Sequence, residues 1–547
     1  MKLASPEKIA RYRELGHWQD KSLYQMFADV AAAAPDQEAL VDPINRAEVD
    51  GAEMQRLSWA ECRLRADAMA AGLLQHGVRP GDIVLVQAPN ISELVLFYLA
   101  CARIGAVVSP APVQYGAHEL NGIIDSLGPR ACCGVALADG NPVAALSVAA
   151  ERGIDGFTLG QLNADPHSEE LAGTAHPDAD DCFTICWTSG TTGTPKGVPR
   201  SHNHWFAQGP AMYHGLGMGT GDRMLSPFPF INMAAIGGSL MGWLMGGGTL
   251  ILHHPFDLAV FLRQVAQEKP NVTLLPPAVL NLLLKDPKLS AMVDFSGLSA
   301  VGSGSAPLSP WMVREWQERG VPVVNIFGSN EGAALLTSPT DVPDPEIRAT
   351  SFPRFGQVEG QWTNPISQVM ETRLVAPATG ETVTGPGEVG ELYIRGPNVF
   401  EGYWRMTEEE SRELGLFDPD GYFRTGDLFE IAADDPSLMR FVARAKDIII
   451  RGGMNVSMEE VDGLLADHPD LVEAATFPVA DEILGERIGV AVVPRPGQTP
   501  DLDAITDHLK TKGLAVFKLP EVMVVKSTLP RNAMNKVLRH LLAEETD

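Results

Sequence analysis

The chain has 547 residues, more than one compact core usually contains, so two or more domains are expected. Hydrophobic residues make up 45% and charged residues 20%, which is typical of a globular protein. The formal net charge of −27 argues against nucleic acid or an anionic membrane as the main partner, although a local lysine cluster can still bind ATP.

Cysteine usage and the N-terminal sequence indicate the compartment. Six cysteines are too few for a disulfide scaffold, and none is paired with histidine at a metal-type spacing. The N-terminal sequence is charged and lacks the apolar core of a signal peptide. The most apolar stretches, 91–108 and 240–252, are interrupted by charges or glycines, so neither predicts a membrane span. We therefore expect a cytoplasmic protein.

Residues 1–130 alternate helical patterns with short apolar strands. A strand at 83–86, a helix over 92–104 and a strand from 106 form a unit that is typical of a parallel sheet covered by helices. Residues 134–180 are rich in Ala, Gly and Asp with weak periodicity, which predicts surface loops and peripheral helices.

The segment 188–197 is the most informative stretch of the chain. The apolar run 183–187 predicts a buried strand before it, and Ser201 is a candidate N-cap for a helix after it. A strand, a polar glycine-containing loop and a helix present backbone N–H groups to a phosphate, although this loop lacks the Walker pattern. A solvated linker of the same composition is the alternative. The predicted phosphate ligands are Thr188, Ser189, Gly190, Thr191, Thr192, Gly193 and Lys196.

Strands are predicted again at 249–252, 271–275 and 322–327, whereas the prolines of 338–365 predict a loop. The Gly-rich segment 385–430 has short alternating runs that are typical of an antiparallel or barrel-like subdomain. From about 447 the pattern becomes β-α-β-β-α-β, so a small α+β unit is expected there.

Five further motifs follow the phosphate loop. Taken alone, each has an ordinary structural explanation, such as a turn, a helix cap, an interdomain link or a solvated lysine. They are Ser303-Gly304-Ser305-Ala306-Pro307-Leu308, Phe327-Gly328-Ser329-Asn330-Glu331-Gly332, Thr425-Gly426-Asp427, the segment from Arg444-Ala445-Lys446-Asp447 to Gly452-Gly453, and the segment from Pro530 to Lys536. Their joint order resembles the adenylate-forming superfamily, which includes acyl- and aryl-CoA synthetases, peptide-synthetase adenylation domains and firefly-type luciferases.

This resemblance covers nearly the whole chain and implies an α/β fold. It implies a large N-terminal domain, 1–443, that contains two helix-covered sheets and the barrel-like subdomain. It also implies a small mobile α+β C-terminal domain, 444–547, that swings about Lys446. ATP, Mg²⁺ and coenzyme A are the implied cofactor and substrates, and a monomer or homodimer is expected.

The resemblance also implies roles for individual residues. Glu331 would bind Mg²⁺, Lys196 would contact phosphate, and Lys536 would bridge the substrate carboxylate and the α-phosphate. Gly452 and Gly453 would border the tunnel for the CoA thiol. The other residues implied to bind the nucleotide are Ser305, Ala306, Pro307, Phe327, Gly328, Asn330, Asp427 and Arg444. Asn330 stands where most relatives have Thr, so its contact with the α-phosphate is open.

Asn232, Met233 and Gly304 are the implied pocket residues for the acid. Segments 11–18, 199–203 and 517–520 resemble ligases for dihydroxybenzoate or cyclohexanecarboxylate. Met233, however, stands where aryl ligases use Asn and peptide-synthetase domains use Asp, so we expect an apolar aryl, alicyclic or medium-length acyl acid. A one-residue shift in the alignment would favour a hydroxyaryl acid instead.

Three alternatives remain at this point. The acyl group could pass to CoA or to the phosphopantetheine of a separate carrier protein, because the same tunnel would serve both. A luciferase-like oxygenase is the second alternative, because such enzymes belong to the same superfamily, but no motif requires this activity. The chain could also be a nucleotide-binding regulator without catalysis, which the retention of Lys196, Glu331, Asp427 and Lys536 argues against.

Overall fold

Four β-sheets organise the described part of the chain. The computed structural model describes residues 1–543 apart from 189–194, 291, 358–360, 445–447, 452–453, 482–483, 513, 515 and 533–535. The α/β fold class predicted from the sequence is confirmed.

A six-stranded sheet carries the phosphate loop at one edge. Its order across the sheet is Asp155–Thr158, Ala131–Gly134, Ile83–Gln87, Val107–Ala111, Cys182–Trp187 and Gly197–Ser201. The strands are parallel except for the last, which returns antiparallel to Cys182–Trp187 after the loop. The strand–helix–strand prediction is confirmed, since Ser92–Ile104 connects two parallel strands of this sheet.

An eight-stranded sheet carries the next two motifs. Its order is Ala334–Thr337, Val323–Gly328, Ala300–Gly304, Val272–Leu274, Arg223–Ser226, Thr249–Leu252, Glu38–Val41 and Arg56–Ser58. The six inner strands pair in parallel, and both edge strands pair antiparallel. Gly304 and Gly328 end neighbouring parallel strands, and such strand ends are where ligands bind in α/β sheets.

A five-stranded antiparallel sheet occupies the region predicted to be barrel-like. Its order is Ser351–Pro353, Leu438–Arg444, Phe423–Ile431, Val389–Arg395 and Glu371–Val375. The prediction of a loop over 338–365 is wrong in part, because this segment contains the edge strand and the helix Pro345–Thr350. Asp344 caps that helix and Pro345 occupies its first turn, so this proline begins a helix rather than marking a loop.

The C-terminal sheet begins with a hairpin that the sequence pattern did not predict. Its order is Met454–Ser457, Ile448–Arg451, Gly485–Pro494 and Leu471–Asp481, and Val522–Val525 pairs in parallel with Gly485–Pro494. Met458–Leu465 and Leu502–Thr511 are its main helices, and their N-caps are Ser457 and Asp501. A small α+β C-terminal unit is thus confirmed, whereas the boundary between 443 and 444 stays a prediction.

The helices cover these sheets. Before the phosphate loop they are Pro6–Glu14, Leu23–Ala33, Arg46–Asp50, Trp59–Gln75, Ser92–Ile104, Ala117–Leu127, Ala144–Arg152 and Glu169–Gly173. After it they are His202–Gly215, Met241–Gly246, Leu258–Glu268, Pro277–Lys285, Pro287–Ser290, Pro310–Glu318, Pro345–Thr350, Glu408–Glu413, Met458–Leu465, Leu502–Thr511 and Arg539–Ala543. A π-helical segment, Ala234–Leu240, precedes Met241–Gly246. Among the described residues, no helix is long and apolar enough to cross a membrane.

The largest core lies between the six-stranded and eight-stranded sheets. Trp59 and Trp243 are buried there and stack with their ring centroids 4.5 Å apart. The hydroxyl of Tyr98, on the helix of one sheet, donates to the carbonyl oxygen of Phe230, next to the other sheet, at 2.6 Å. These contacts hold the two sheets, and hence their functional strand ends, in one arrangement.

Gly304→Ala tests how closely two strand ends approach. A Cβ at Gly304 would lie 2.1 Å from the carbonyl oxygen of Ile326 on the neighbouring strand, so alanine must push the strands apart. We expect a loss of about 1–3 kcal/mol in stability, seen as a lower midpoint in thermal unfolding. Gly297→Ala is the control, because no atom lies within 4 Å of its Cβ position. Equal midpoints for the two variants would contradict the close approach.

Candidate active site

The two ends of the phosphate loop are tied together. The backbone N–H of Thr188 donates to the carbonyl oxygen of Lys196 at 3.0 Å, and the backbone N–H of Lys196 donates to the Thr188 hydroxyl at 3.0 Å. The loop therefore begins and ends on one pair of hydrogen bonds. Ser189, Gly190, Thr191, Thr192 and Gly193 lie outside the described residues.

Lys196 and Glu331 both contact the side chain of Tyr403. The ammonium of Lys196 lies 4.8 Å from the ring centroid of Tyr403, within the range of a cation–π interaction. The Tyr403 hydroxyl donates to Glu331 Oε1 at 2.9 Å. The structure thus brings together two predicted catalytic residues, although the sequence analysis did not predict the residue that connects them.

The side chain of Asn330 forms hydrogen bonds with two backbone groups. Its side-chain amide donates to the carbonyl oxygen of Trp187 at 3.1 Å, and its Oδ1 accepts from the backbone N–H of Met233 at 2.9 Å. One side chain therefore fastens the strand before the phosphate loop to the predicted acid pocket. The contact of Asn330 with the α-phosphate stays a prediction.

Arg200 is the buried centre of this region. Its side chain is 0% exposed and donates to the carbonyl oxygens of Asn330 at 2.9 Å, Asn398 at 2.8 Å and His204 at 3.2 Å. The guanidinium also lies over the ring of Trp205 at 4.5 Å. Burial lowers the pKa of Arg200 to about 10, so its charge persists at neutral pH.

Residues 397–404, here named the strap, cross the site. The backbone N–H of Phe400 donates to the carbonyl oxygen of Glu331 at 2.8 Å, and that of Trp404 donates to the carbonyl oxygen of Gly197 at 2.8 Å. The side-chain amide of Asn398 donates to the carbonyl oxygen of Gly332 at 2.7 Å. The strap therefore connects the exit of the phosphate loop with the turn that carries Glu331.

The segment Ser305-Ala306-Pro307, implied to bind the nucleotide, is an exposed turn. Ser305 has φ of +70°, a left-handed conformation, and Ser305, Ala306 and Pro307 are exposed. The role of Gly304 in the acid pocket stays a prediction, but the structure gives a separate reason for a glycine at this position. Glycine is required there because the neighbouring strand leaves no room for a Cβ.

Phe327 and Gly328 end the strand that pairs with Ala300–Gly304. The ring of Phe327 packs edge-on against Phe429 at 5.2 Å and also contacts Phe441, both on the antiparallel sheet. This aromatic contact joins the end of the Glu331 strand to the strand that carries Asp427.

Asp427 and Arg444 form a pair on neighbouring antiparallel strands. Arg444 Nε lies 3.2 Å from Asp427 Oδ1, and Asp427 is only 4% exposed. The preceding turn is fixed because the Thr425 hydroxyl donates to the carbonyl oxygen of Leu392 at 2.8 Å. Two residues predicted to bind the nucleotide are thus in direct contact with each other, while their contact with the nucleotide stays a prediction.

The predicted acid pocket has a buried methionine. Met233 is 8% exposed, and a Cβ on Gly237 would lie 2.6 Å from its sulfur. Asn232 is turned to the backbone: its Oδ1 accepts from the N–H of Ala234 at 3.0 Å, at the start of the π-helical segment. Nearby methionines belong to the core, among them Met224 and Met241 at 0% exposure.

The C-terminal residues are described in part. The backbone N–H of Lys536 donates to Asn532 Oδ1 at 2.9 Å, and the N–H of Asn532 donates to the Lys536 carbonyl oxygen at 2.9 Å. These bonds join Asn532 and Lys536, and the catalytic role of Lys536 remains a prediction. Lys446, Gly452 and Gly453 lie outside the described residues.

The residues present fit Mg²⁺ held jointly with ATP. In the described part of the chain, no group of three or more His, Cys, Asp and Glu side chains is arranged to hold a metal ion alone. Glu331 offers one hard carboxylate, and Lys196 lies on the other side of the same phenol. A single carboxylate together with substrate phosphates is a common way for proteins to bind Mg²⁺.

Sequence reasoning missed Arg200 and Tyr403. The signal for Arg200 was weak, because a lone arginine in a strand usually faces solvent. The signal for Tyr403 was a glycine followed by two aromatic residues, Gly402-Tyr403-Trp404, in the Gly-rich segment. Neither sequence pattern indicates which residues Arg200 or Tyr403 contacts in the fold.

The fold and site define an adenylate-forming enzyme. The sequence profile of the AMP-binding enzyme family matches residues 27–404, and that of the AMP-binding enzyme C-terminal domain matches residues 460–536. The chain therefore belongs to the AMP-binding enzyme family.

Individual relatives are similar over nearly their whole length. The chain is 30% identical over 549 residues to pyochelin synthase PchD of Pseudomonas aeruginosa, covering 98% of this chain and 94% of that protein. It is 30% identical over 559 residues to 2-hydroxy-7-methoxy-5-methyl-1-naphthoate–CoA ligase of Streptomyces carzinostaticus, covering 97% and 94%. ATP-bound MatB from Rhodopseudomonas palustris has a similar structure, with TM-score 0.77, 27% identity and coverage of 95% and 98%.

Arg200→Lys tests whether the buried guanidinium organises the site. A lysine ammonium cannot reach all three carbonyl oxygens, so buried acceptors lose their donors. We expect a loss of about 1–3 kcal/mol in stability and weaker binding of Mg·ATP. The measurements are thermal unfolding and calorimetry with ATP. Arg11→Lys, at an exposed position, is the control, and indistinguishable results for the two variants would refute the role of Arg200.

Proposed function

We propose that this protein uses ATP to activate a carboxylic acid as an acyl-adenylate, releases pyrophosphate, and transfers the acyl group to the thiol of coenzyme A. The observation that carries this proposal is the meeting of Lys196 and Glu331 at Tyr403, beside the phosphate loop. Membership of the AMP-binding enzyme family supports the same reaction.

The first step forms a bond between the substrate carboxylate oxygen and the α-phosphorus and breaks the bond to pyrophosphate. Lys196 and Lys536 supply positive charge where charge builds on the phosphate oxygens, and preorganised charges of this kind lower such barriers. Mg²⁺ bound by Glu331 would neutralise phosphate charge. In the second step the CoA sulfur, having lost its proton, bonds to the acyl carbon, and AMP leaves.

An apolar aryl, alicyclic or medium-length acyl acid is the proposed substrate. Met233 is buried at the predicted selecting position and offers neither an amide nor a carboxylate to the acid. Asn330 uses one lone pair of its Oδ1 on the Met233 backbone N–H. The similar ligase of Streptomyces carzinostaticus is named for a 2-hydroxy-naphthoate, so this relative supports a bulky aromatic acid but not the absence of a hydroxyl group.

Acid-dependent exchange of pyrophosphate into ATP tests the proposal directly. The panel is benzoates, hydroxybenzoates, cyclohexanecarboxylate, fatty acids and amino acids, each repeated with CoA and detection of the thioester. Exchange with an apolar acid and CoA-dependent thioester formation is the expected result. Exchange without thioester would favour a carrier-protein acceptor, and ATP binding without exchange would favour a regulator.

Lys536→Ala separates the two half-reactions. We expect adenylation to fall by about 10²–10³-fold, because one charge that stabilises the transition state is lost. Thioester formation from premade acyl-adenylate should survive, because the C-terminal domain is proposed to rotate Lys536 away after adenylation. Lys510→Ala, an exposed lysine on the helix Leu502–Thr511, is the matched control. An equal fall in both half-reactions would contradict the rotating domain.

A further inference from the structure

Tyr403 is the residue through which the two charged groups of the site are connected. Its hydroxyl donates to Glu331 Oε1 at 2.9 Å, while its ring faces the Lys196 ammonium at 4.8 Å. The phenol therefore contacts both a carboxylate and an ammonium, two groups of opposite charge that attract each other. A direct ion pair between Lys196 and Glu331 would occupy both groups and leave neither for Mg²⁺ and phosphate.

The chemistry of the phenol suits this position. The hydroxyl is a neutral donor, and it occupies only one of the two Glu331 oxygens in the contact described. Burial, together with the charge and hydrogen bond of Glu331, raises the pKa of Tyr403, so the phenol keeps its proton at neutral pH. The aromatic face attracts the ammonium but leaves its N–H groups available to a stronger acceptor such as phosphate.

The strap holds Tyr403 rigidly enough for such a role. On one side, the backbone N–H of Phe400 donates to the Glu331 carbonyl oxygen, and on the other, that of Trp404 donates to the Gly197 carbonyl oxygen, both at 2.8 Å. The Trp404 indole N–H also donates to the carbonyl oxygen of Ser126 at 3.1 Å. Tyr403 is thus fixed between the strand after the phosphate loop and the Glu331 turn.

A second anchor ties the strap to the N-terminal segment. Lys8 Nζ lies 2.6 Å from Glu401 Oε1, and the His204 ring lies 3.4 Å from the same oxygen. The Trp18 indole N–H donates to the carbonyl oxygen of Pro397 at 3.0 Å. The N-terminal segment therefore braces the strap from the side away from Tyr403.

We propose that Tyr403 is a positioning residue that separates Lys196 from Glu331 and holds the Glu331 carboxylate ready for Mg²⁺. The proposal rests on the proposed function, because it concerns the Mg·ATP site of that reaction. It assigns no proton transfer to the phenol. The hydroxyl acts on metal binding through Glu331, and the ring acts on phosphate binding through Lys196.

Tyr403→Phe removes the hydroxyl and keeps the ring. The half-saturating Mg²⁺ concentration for ATP binding, measured by calorimetry over a Mg²⁺ series, should rise about three- to tenfold, which corresponds to the net contribution of a typical intramolecular hydrogen bond. ATP affinity at saturating Mg²⁺ should change less than twofold. Tyr403→Leu, which also removes the ring, should lower ATP affinity even at saturating Mg²⁺.

Tyr422→Phe is the matched control. The Tyr422 hydroxyl donates to Glu371 Oε2 at 2.7 Å, and the Arg373 guanidinium lies 4.2 Å from the ring centroid, so the same set of contacts occurs at another place. This variant should keep the wild-type Mg²⁺ dependence. Thermal unfolding of all variants separates a change in metal binding from a loss of folded protein.

The outcomes distinguish this inference from the proposed function. An unchanged Mg²⁺ dependence in folded Tyr403→Phe overturns the positioning role, whether or not the wild type catalyses exchange. An equal shift in Tyr403→Phe and Tyr422→Phe also overturns it, because the effect would then be general. Absence of exchange in a wild type that binds Mg·ATP overturns the proposed function alone.

Discussion

The buried guanidinium of Arg200 is the constraint on which the site depends. It gathers carbonyl oxygens from the Glu331 turn, the strap and the helix that follows the phosphate loop. A charge without exposure to water is costly unless hydrogen bonds replace its hydration. Here the three carbonyl oxygens accept from the two terminal nitrogens and the Trp205 ring lies against the guanidinium, whereas Nε has no hydrogen-bond partner among the described residues. Because the acceptors come from three segments, the segments cannot move apart without leaving the charge unsatisfied. The free-energy cost of burying the Arg200 cation thus keeps these three segments in fixed positions.

The contact between the strap and the Glu331 turn determines where the charged groups of the site lie. Gly332 has φ of +120°, and a Cβ there would lie 2.3 Å from the carbonyl oxygen of Asn398, so the strap lies directly against the Glu331 turn. That proximity lets one phenol contact both Glu331 and Lys196. Tyr403 thus contacts both charged groups, while the Arg200 side chain is fully buried nearby in the same set of segments.

Much of the fold could be predicted because local apolar periodicity agrees with burial. The expected helix over 92–104 is Ser92–Ile104, and the expected strand at 249–252 is Thr249–Leu252. The helix Pro345–Thr350 was missed because prolines mark both loops and helix starts. In the site, motif order indicated Lys196, Asn330 and Glu331. Arg200 could not be assigned from sequence, since its partners lie 130 and 198 positions away.

Asn330 shows how a motif position can change its task while the site is kept. A threonine hydroxyl is short and can face a ligand, whereas the longer asparagine amide spans from the Trp187 carbonyl oxygen to the Met233 N–H. That span joins the strand before the phosphate loop to the acid pocket. Each of these two hydrogen bonds uses one lone pair of Oδ1 or one amide N–H, so the side chain keeps a second acceptor site and a second donor. Asn330 can therefore brace the backbone of the site and remain a polar group at its motif position.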